Sequence, residues 1–160
     1  MALLILTTAR AYASPTEQLE PVGSTTLKVM FWTIYDSTLY TNNGEYQGIE
    51  PGLALRINYR RNIKRAQLIS ATRDQWQELD VYDPSFSESW LQELEALLPN
   101  IKRGDSITLL IEGDMSATFF HNEKPLGRLR DARFTESFLA IWLAENSAYP
   151  KLRNQLLGLN

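Results

Sequence analysis

The sequence has no cysteine, a single histidine and no large excess of either charge. The absence of cysteine excludes disulfides, thiolate metal sites and thiol nucleophiles. The lone histidine, His121, excludes a multi-histidine metal site and lies in a polar stretch typical of an exposed turn. Lysine and arginine total 16 against 19 aspartate and glutamate residues, and the net charge of -3 provides no overall field for nucleic acid. We therefore expect no nucleic-acid partner, no metal and no cofactor.

Long apolar runs are also missing after the N-terminal segment, so the sequence predicts no transmembrane helix. Hydrophobic residues make up 44% of the 160 positions, which is enough for one core and short for two ordinary domains. The sequence therefore predicts a single domain over residues 14–160. No repeat or low-complexity tract divides it.

The first 13 residues resemble the end of a signal peptide. An apolar run from Ala2 to Leu6 precedes Ala11-Tyr12-Ala13, a small-x-small pattern, and then Ser14-Pro15. This layout predicts cleavage after Ala13 and a periplasmic or secreted protein. The alternative is a frayed N-terminus, since the run is short and no positive stretch precedes it.

The first strong strand pattern covers residues 25–40, which are rich in β-branched and aromatic residues. We predict one strand there, covered on both sides from Met30 onward because both of its faces are largely apolar. Asn42-Asn43-Gly44 then predicts a chain reversal. A second strand is predicted over residues 53–59, and alternation directs Arg56 away from Leu55 and Ile57.

Helical spacing predicts a helix over residues 63–79 with Asn62 as its N-cap. A second helix is predicted from a capping box of Ser85 and Glu88 up to Pro99. Strand patterns at 107–111 and 115–120 predict a hairpin, and amphipathic helices follow at 133–143 and after Pro150. This order predicts an α+β domain with a mostly antiparallel sheet against which the helices pack.

Several segments together resemble the chalcone isomerase-like family. They are VGSTTLKVMFWTIYDSTLYT, ALRINYRRNIKRAQLISAT, IKRGDSITLL, HNEKPLGRLRDARFTESFLAIWL and the terminal LLG, in this order from residue 21 to residue 158. The resemblance implies an open-faced β-sandwich, with a large antiparallel sheet backed by helices and a ligand cleft between the layers. It is greatest to the bacterial, exported branch of the family.

The family's enzymes use an arginine early in the first conserved strand, together with threonine and tyrosine hydroxyls. The matching segment, residues 23–28, contains no arginine, and the tyrosine position corresponds to Leu68. Thr33 matches the threonine. The arginine and the tyrosine that would face the charge developing in the transition state are therefore both missing, which argues against chalcone cyclisation. An isomerase acting on another substrate stays an alternative, and it requires Lys28, Thr33 and Tyr35 to converge.

The family's fatty-acid binders hold the ligand's carboxylate with an arginine on the second strand and a tyrosine nearby. Arg56 corresponds to that arginine, and a guanidinium pairs well with a carboxylate. The sequence offers Tyr35, Tyr40 or Tyr59 in place of the family tyrosine. The resemblance thus implies a non-catalytic protein that binds a small apolar or fatty acid-type ligand. A solvated or salt-bridged Arg56 is the alternative, and would fit an accessory protein with an unknown protein partner.

Two other patterns have ordinary structural interpretations. The cluster Arg60, Arg61, Lys64 and Arg65 is typical of a solvated helix start, although it would also suit an anionic head group. The four tryptophans lie on apolar stripes, so we predict core positions for Trp32, Trp76, Trp90 and Trp142.

Overall fold

The computed structural model describes residues 11–159. These residues form three strands, two helices, three more strands and two more helices, in that order. The elements are β1 (Glu20–Val29), β2 (Trp32–Thr41), β3 (Ala54–Tyr59), α1 (Arg65–Glu78), α2 (Ser87–Leu97), β4 (Ser106–Ile111), β5 (Ala117–His121), β6 (Lys124–Leu129), α3 (Ala132–Leu143) and α4 (Pro150–Leu156).

The strands form one antiparallel sheet in the order β1-β2-β3-β4-β5-β6, so every strand lies beside its neighbour in the sequence. Alternation along each strand directs one set of side chains toward the helices, including Leu55, Ile57, Leu109 and Phe119, which are all buried. The α+β class and the helix-backed antiparallel sheet predicted from the sequence are confirmed.

The core between sheet and helices is dominated by aromatic side chains. Trp76 is fully buried, and its indole Nε1 donates to the Ser137 carbonyl oxygen at 2.9 Å. Its ring meets those of Trp90 and Phe134 edge to face, with centroids about 6 Å apart. Because α1, α2 and α3 each contribute one of these three rings, the cluster fixes the helices against one another.

The prediction of one strand over residues 25–40 is wrong, because the segment is a hairpin. The chain reverses at Met30 and Phe31, and Val29 pairs with Trp32. Met30 takes a φ of 57°, a left-handed conformation that the usual turn residues adopt with less strain. Met30, Phe31 and Trp32 are 86%, 96% and 59% exposed, so the predicted two-sided cover and the core position of Trp32 are wrong too.

Both predicted helix caps differ from the structure. Lys64, and not Asn62, is the N-cap of α1, while the Asn62 Oδ1 accepts from the Arg103 amide at 2.8 Å. The second helix begins at Ser87 and has Phe86 as its N-cap, because Glu88 instead accepts from Arg73 and Tyr82. Asn62 and Glu88 are residue types that often cap helices, but here each accepts a hydrogen bond from a residue outside the predicted cap.

The N-terminal apolar run, residues 2–6, lies outside the described residues. Residues 11–19 precede β1 in the structure, and there the side-chain oxygens of Ser14 and Thr16 are 3.2 Å apart. No helix among residues 11–159 is both long and apolar enough to cross a membrane.

Candidate ligand cavity

An apolar cavity of about 560 Å³ lies between the sheet and helices α1, α3 and α4. We call it the apolar cavity. Its floor is the helix-facing side of β1 to β5, and α1, α3 and α4 form its walls. The floor and walls are largely aliphatic and aromatic, and include Leu55, Ile57, Leu68, Leu109, Phe119, Phe138, Ile141 and Leu156.

Polar side chains also contribute to the lining of the apolar cavity, and several of them lie on its sheet floor. Tyr35 and Tyr59 lie on adjacent strands, with ring centroids 6.1 Å apart in an edge-to-face arrangement. The indole Nε1 of Trp142 donates to the Tyr35 hydroxyl at 2.9 Å. Ser37, two residues further along β2, is fully buried. Its Oγ is the one buried side-chain polar atom without a hydrogen-bond partner in the part of the chain that the structure describes.

The two tyrosine hydroxyls are held in the neutral form. Burial raises the pKa of Tyr35 to about 12, and the hydrogen bond from Trp142 opposes this only in part. Burial also raises the pKa of Tyr59 well above its usual value. Neutral phenols in an apolar wall can donate a hydrogen bond to a ligand oxygen without carrying charge themselves.

The charged residues around the apolar cavity are all of one sign. Arg61 and Arg153 line it, and none of its described lining residues is an aspartate or glutamate. Arg153 is partly engaged, because its Nε donates to the Leu143 carbonyl oxygen at 2.8 Å. The guanidinium of Arg61 lies over the Trp32 ring, 4.1 Å from its centroid. The low-dielectric walls strengthen the positive field of these groups.

Arg61 also lines a second, open depression outside the apolar cavity, which we call the basic groove. It is formed by Thr26, Lys28, Trp32, Thr33, Asp36, Arg60, Arg61, Asn62 and Arg103. Arg60 and Thr26 each donate to the Asp36 carboxylate at 2.6 Å. Although burial alone would raise it, these donors hold the pKa of Asp36 below its usual value. Asp36 is therefore ionised and already paired.

The structure brings together only some of the residues singled out from the sequence. Tyr35 and Tyr59 line the apolar cavity, whereas Thr33 lies in the basic groove, opposite Lys28 in the strand register. Tyr40 shares neither site and faces the other side of the sheet, opposite Ala54. Lys28, Thr33 and Tyr35 therefore do not converge on one pocket, as the isomerase alternative requires.

Arg56 lies on the sheet face that points away from the apolar cavity. Its neighbours Leu55 and Ile57 face the cavity, and the strand's alternation turns Arg56 to the other side. There its Nη2 donates to the Ser14 Oγ at 2.9 Å and lies 3.4 Å from a Glu123 carboxylate oxygen. Arg56 is thus salt-bridged to Glu123, as in the solvated or salt-bridged alternative that the sequence left open.

Sequence reasoning missed Arg61 as a cavity residue. Arg61 belongs to the basic cluster after the second predicted strand. That strand ends at Tyr59, so alternation does not predict which sheet face the Arg61 side chain points to. The signal that was present is its position two residues after a cavity-facing tyrosine, at the junction leading to α1.

This fold and this cleft define an α+β protein with a ligand-sized space between sheet and helices. A family model described as chalcone isomerase-like matches residues 7–158, and the chain belongs to that family. An uncharacterised protein of Haemophilus influenzae is 30% identical over 146 residues, which cover 91% of this chain and 71% of that one. The crystal structure of an Arabidopsis thaliana fatty-acid binding protein superposes with a TM-score of 0.70 at 14% identity, over 91% of this chain and 90% of that chain.

Proposed function

We propose that the protein is a non-catalytic binder of a small amphiphilic acid, with the apolar part in the apolar cavity and the acid group at Arg61. The observation that carries the proposal is the cavity's lining, which is mostly apolar by area and includes two arginines but no described carboxylate. An apolar chain gains from leaving water in such a space, and a guanidinium favours an anion at its mouth. A neutral or cationic ligand would gain nothing from the arginines.

Two further observations support this assignment. The volume of about 560 Å³ lies within the range of small-molecule sites, which favours a ligand binder over the accessory-protein alternative. The Arabidopsis thaliana fatty-acid binding protein also has this fold. The unpaired Ser37 hydroxyl and the two phenols offer hydrogen bonds to a polar group deeper in the cavity.

The test combines recovery of a bound molecule with binding of a known probe. Native mass spectrometry followed by organic extraction of the purified protein should reveal a bound acid. Titration with palmitic acid and with palmityl alcohol, which has the same chain without the charge, should show tighter binding of the acid. Equal affinity for the two, or no uptake of either, would overturn the proposal.

Variants locate the acid group. Arg61→Gln should weaken binding of palmitic acid by about tenfold and leave binding of palmityl alcohol unchanged. The expected factor corresponds to the loss of about 1.4 kcal/mol from one charge-assisted hydrogen bond. Arg65→Gln is the matched control, because Arg65 is exposed on the same junction and does not line the cavity. Arg56→Gln tests the assignment made from the sequence, and a loss of acid binding in this variant alone would transfer the anchor to the other sheet face.

We also retain export to the periplasm or outside the cell as a proposal. It rests on the apolar run and the Ala11-Tyr12-Ala13 pattern of the sequence. Sequencing the N-terminus of the protein from cell fractions tests it. A chain beginning at Ser14 in the periplasmic or secreted fraction supports export, whereas an intact chain in the cytoplasmic fraction contradicts it.

A further inference from the structure

The tip of the β1–β2 hairpin exposes consecutive apolar side chains. Val29, Met30, Phe31 and Trp32 are 43%, 86%, 96% and 59% exposed. Tight turns ordinarily carry glycine, asparagine or aspartate, which suit both water and a positive φ. Here a methionine adopts a φ of 57° and a phenylalanine is almost entirely in solvent. The requirements of the fold do not explain this sequence.

The exposed tip lies next to a concentration of positive charge. Lys28, Arg61 and Arg103 line the basic groove beside Trp32. The one carboxylate among the groove's described residues, Asp36, is already paired with Arg60 at 2.6 Å. Its described residues therefore carry four positive groups against one negative group, although the whole chain has a net charge of -3. The positive charge is a local feature beside the apolar tip.

Exposed apolar side chains next to a groove of cations match the two layers of an anionic membrane surface. Apolar groups enter the acyl boundary, while lysine and arginine meet the anionic head groups. Trp32 is suited to the level between them, because an indole prefers the interface and Arg61 covers its ring. A second copy of this chain fits less well, because joining two tips would bring two positively charged basic grooves close together.

We propose that the β1–β2 hairpin docks the protein on an anionic lipid bilayer, with Met30 and Phe31 inserted and the basic groove against the head groups. Arg61 borders both the basic groove and the apolar cavity, so docking brings the cavity mouth to the lipid surface. Passage of a ligand between the bilayer and the apolar cavity would follow from this placement, and that consequence rests on the proposed function. The docking proposal does not depend on the proposed function.

Sedimentation with vesicles tests the docking. The protein should bind vesicles of equimolar phosphatidylglycerol and phosphatidylcholine, bind pure phosphatidylcholine vesicles less, and be released by salt. Phe31→Ser should weaken binding by at least about tenfold through lost apolar burial. Lys28→Glu and Arg103→Glu should each weaken it by at least about fivefold, the effect of a single basic charge near such a surface.

Matched controls separate docking from general stickiness. Leu159→Ser removes another exposed apolar side chain, 54% exposed and located beside Gly158, which packs on Val22 at the other end of β1. Lys124→Glu with Arg130→Glu reverses two exposed charges at β6, the opposite edge of the sheet. Neither control should change vesicle binding, and an equal loss in either one would overturn the proposal.

Other outcomes are equally decisive. No binding of the wild-type protein to the mixed vesicles, or unchanged binding of Phe31→Ser, would overturn the docking. So would a dimer, seen by light scattering, that Phe31→Ser dissociates, because the tip would then be an interface between two copies. Titration of Phe31→Ser with palmitic acid distinguishes the two proposals: retained acid binding leaves the proposed function intact whatever the vesicles show.

Discussion

The indole Nε1 of Trp142 donates a hydrogen bond to the hydroxyl of Tyr35 at 2.9 Å, joining α3 to β2 across the wall of the apolar cavity. The two residues are 107 positions apart in the sequence. The bond therefore ties a helix near one end of the chain to a strand near the other. It also fixes the direction of the phenol that faces the cavity.

Tyr35 should make stability depend on alkaline pH. Its pKa is raised from 10.0 to about 12 by burial, so the folded state holds the proton more tightly than the unfolded state does. The stability is present in full below pH 10 and is lost as the pH rises toward about 12. Chemical denaturation across this pH range should show the free energy of unfolding falling as the pH rises, and falling less steeply in Tyr35→Phe. An unchanged slope in that variant would contradict the assignment.

Replacing Ser37 with alanine should stabilise the protein in the absence of ligand. The Ser37 hydroxyl is buried without a partner, and removing an unsatisfied hydroxyl relieves about 1 kcal/mol of desolvation. Urea denaturation should therefore show a higher midpoint for Ser37→Ala. Thr72→Ala is the contrasting variant, since Thr72 is also buried beside the cavity but donates to the Leu68 carbonyl oxygen at 2.8 Å. A destabilised Ser37→Ala would show that the hydroxyl has a partner after all.

Gly23 allows α4 to pack directly on β1. A Cβ at this position would overlap the Gln155 carbonyl oxygen and lie 2.8 Å from that of Leu156. Gly23→Ala should therefore displace α4 and cost about 1–3 kcal/mol of the free energy of unfolding. Because Leu156 lines the apolar cavity, affinity for palmitic acid should fall as well. Gly113→Ala is the control, since a Cβ there meets nothing within 4 Å, and equal stability losses in both variants would exclude this explanation.

Asp105 should contribute to stability in mild acid. Burial alone would raise its pKa, but donors on Asn122, the Lys102 amide and His121 lower it from 3.8 to about 2. The stabilisation is present above the unfolded pKa of 3.8 and is lost as the pH falls toward about 2. In chemical denaturation, the free energy of unfolding of Asp105→Asn should fall less steeply over this pH range than that of the wild-type protein. Identical declines would mean that other carboxylates account for acid unfolding.

Much of the fold follows from periodicity in the sequence. Residues 107–111 are apolar apart from Thr108 and include β-branched residues, and the residues of α3 repeat at helical spacing, so both types of element were predicted where they lie. β6 was missed because Pro125 and Gly127 are unusual within a strand. An edge strand accepts the proline, and Gly127 lies against Leu97, where a Cβ would come within 2.5 Å of that side chain.

The candidate site was less predictable for a geometric reason. Alternation correctly directed Arg56 away from Leu55, but alternation does not say which sheet face the cleft occupies. Only the packing of α1, α3 and α4 on the Leu55 face decides that. The hairpin at Met30 was equally hidden, because its turn contains none of the residues by which reversals are usually identified.

The contact between Gly23 and α4 has a consequence for how the protein is made. The first strand of the sheet remains without its helical cover until the last helix has been synthesised, about 130 residues later at some 5–20 residues per second. For several seconds a nascent chain therefore presents the floor of the apolar cavity to whatever surrounds it. Because α4 follows α1 and α3 in the sequence, we expect it to be the last of the three helical walls to cover the cavity.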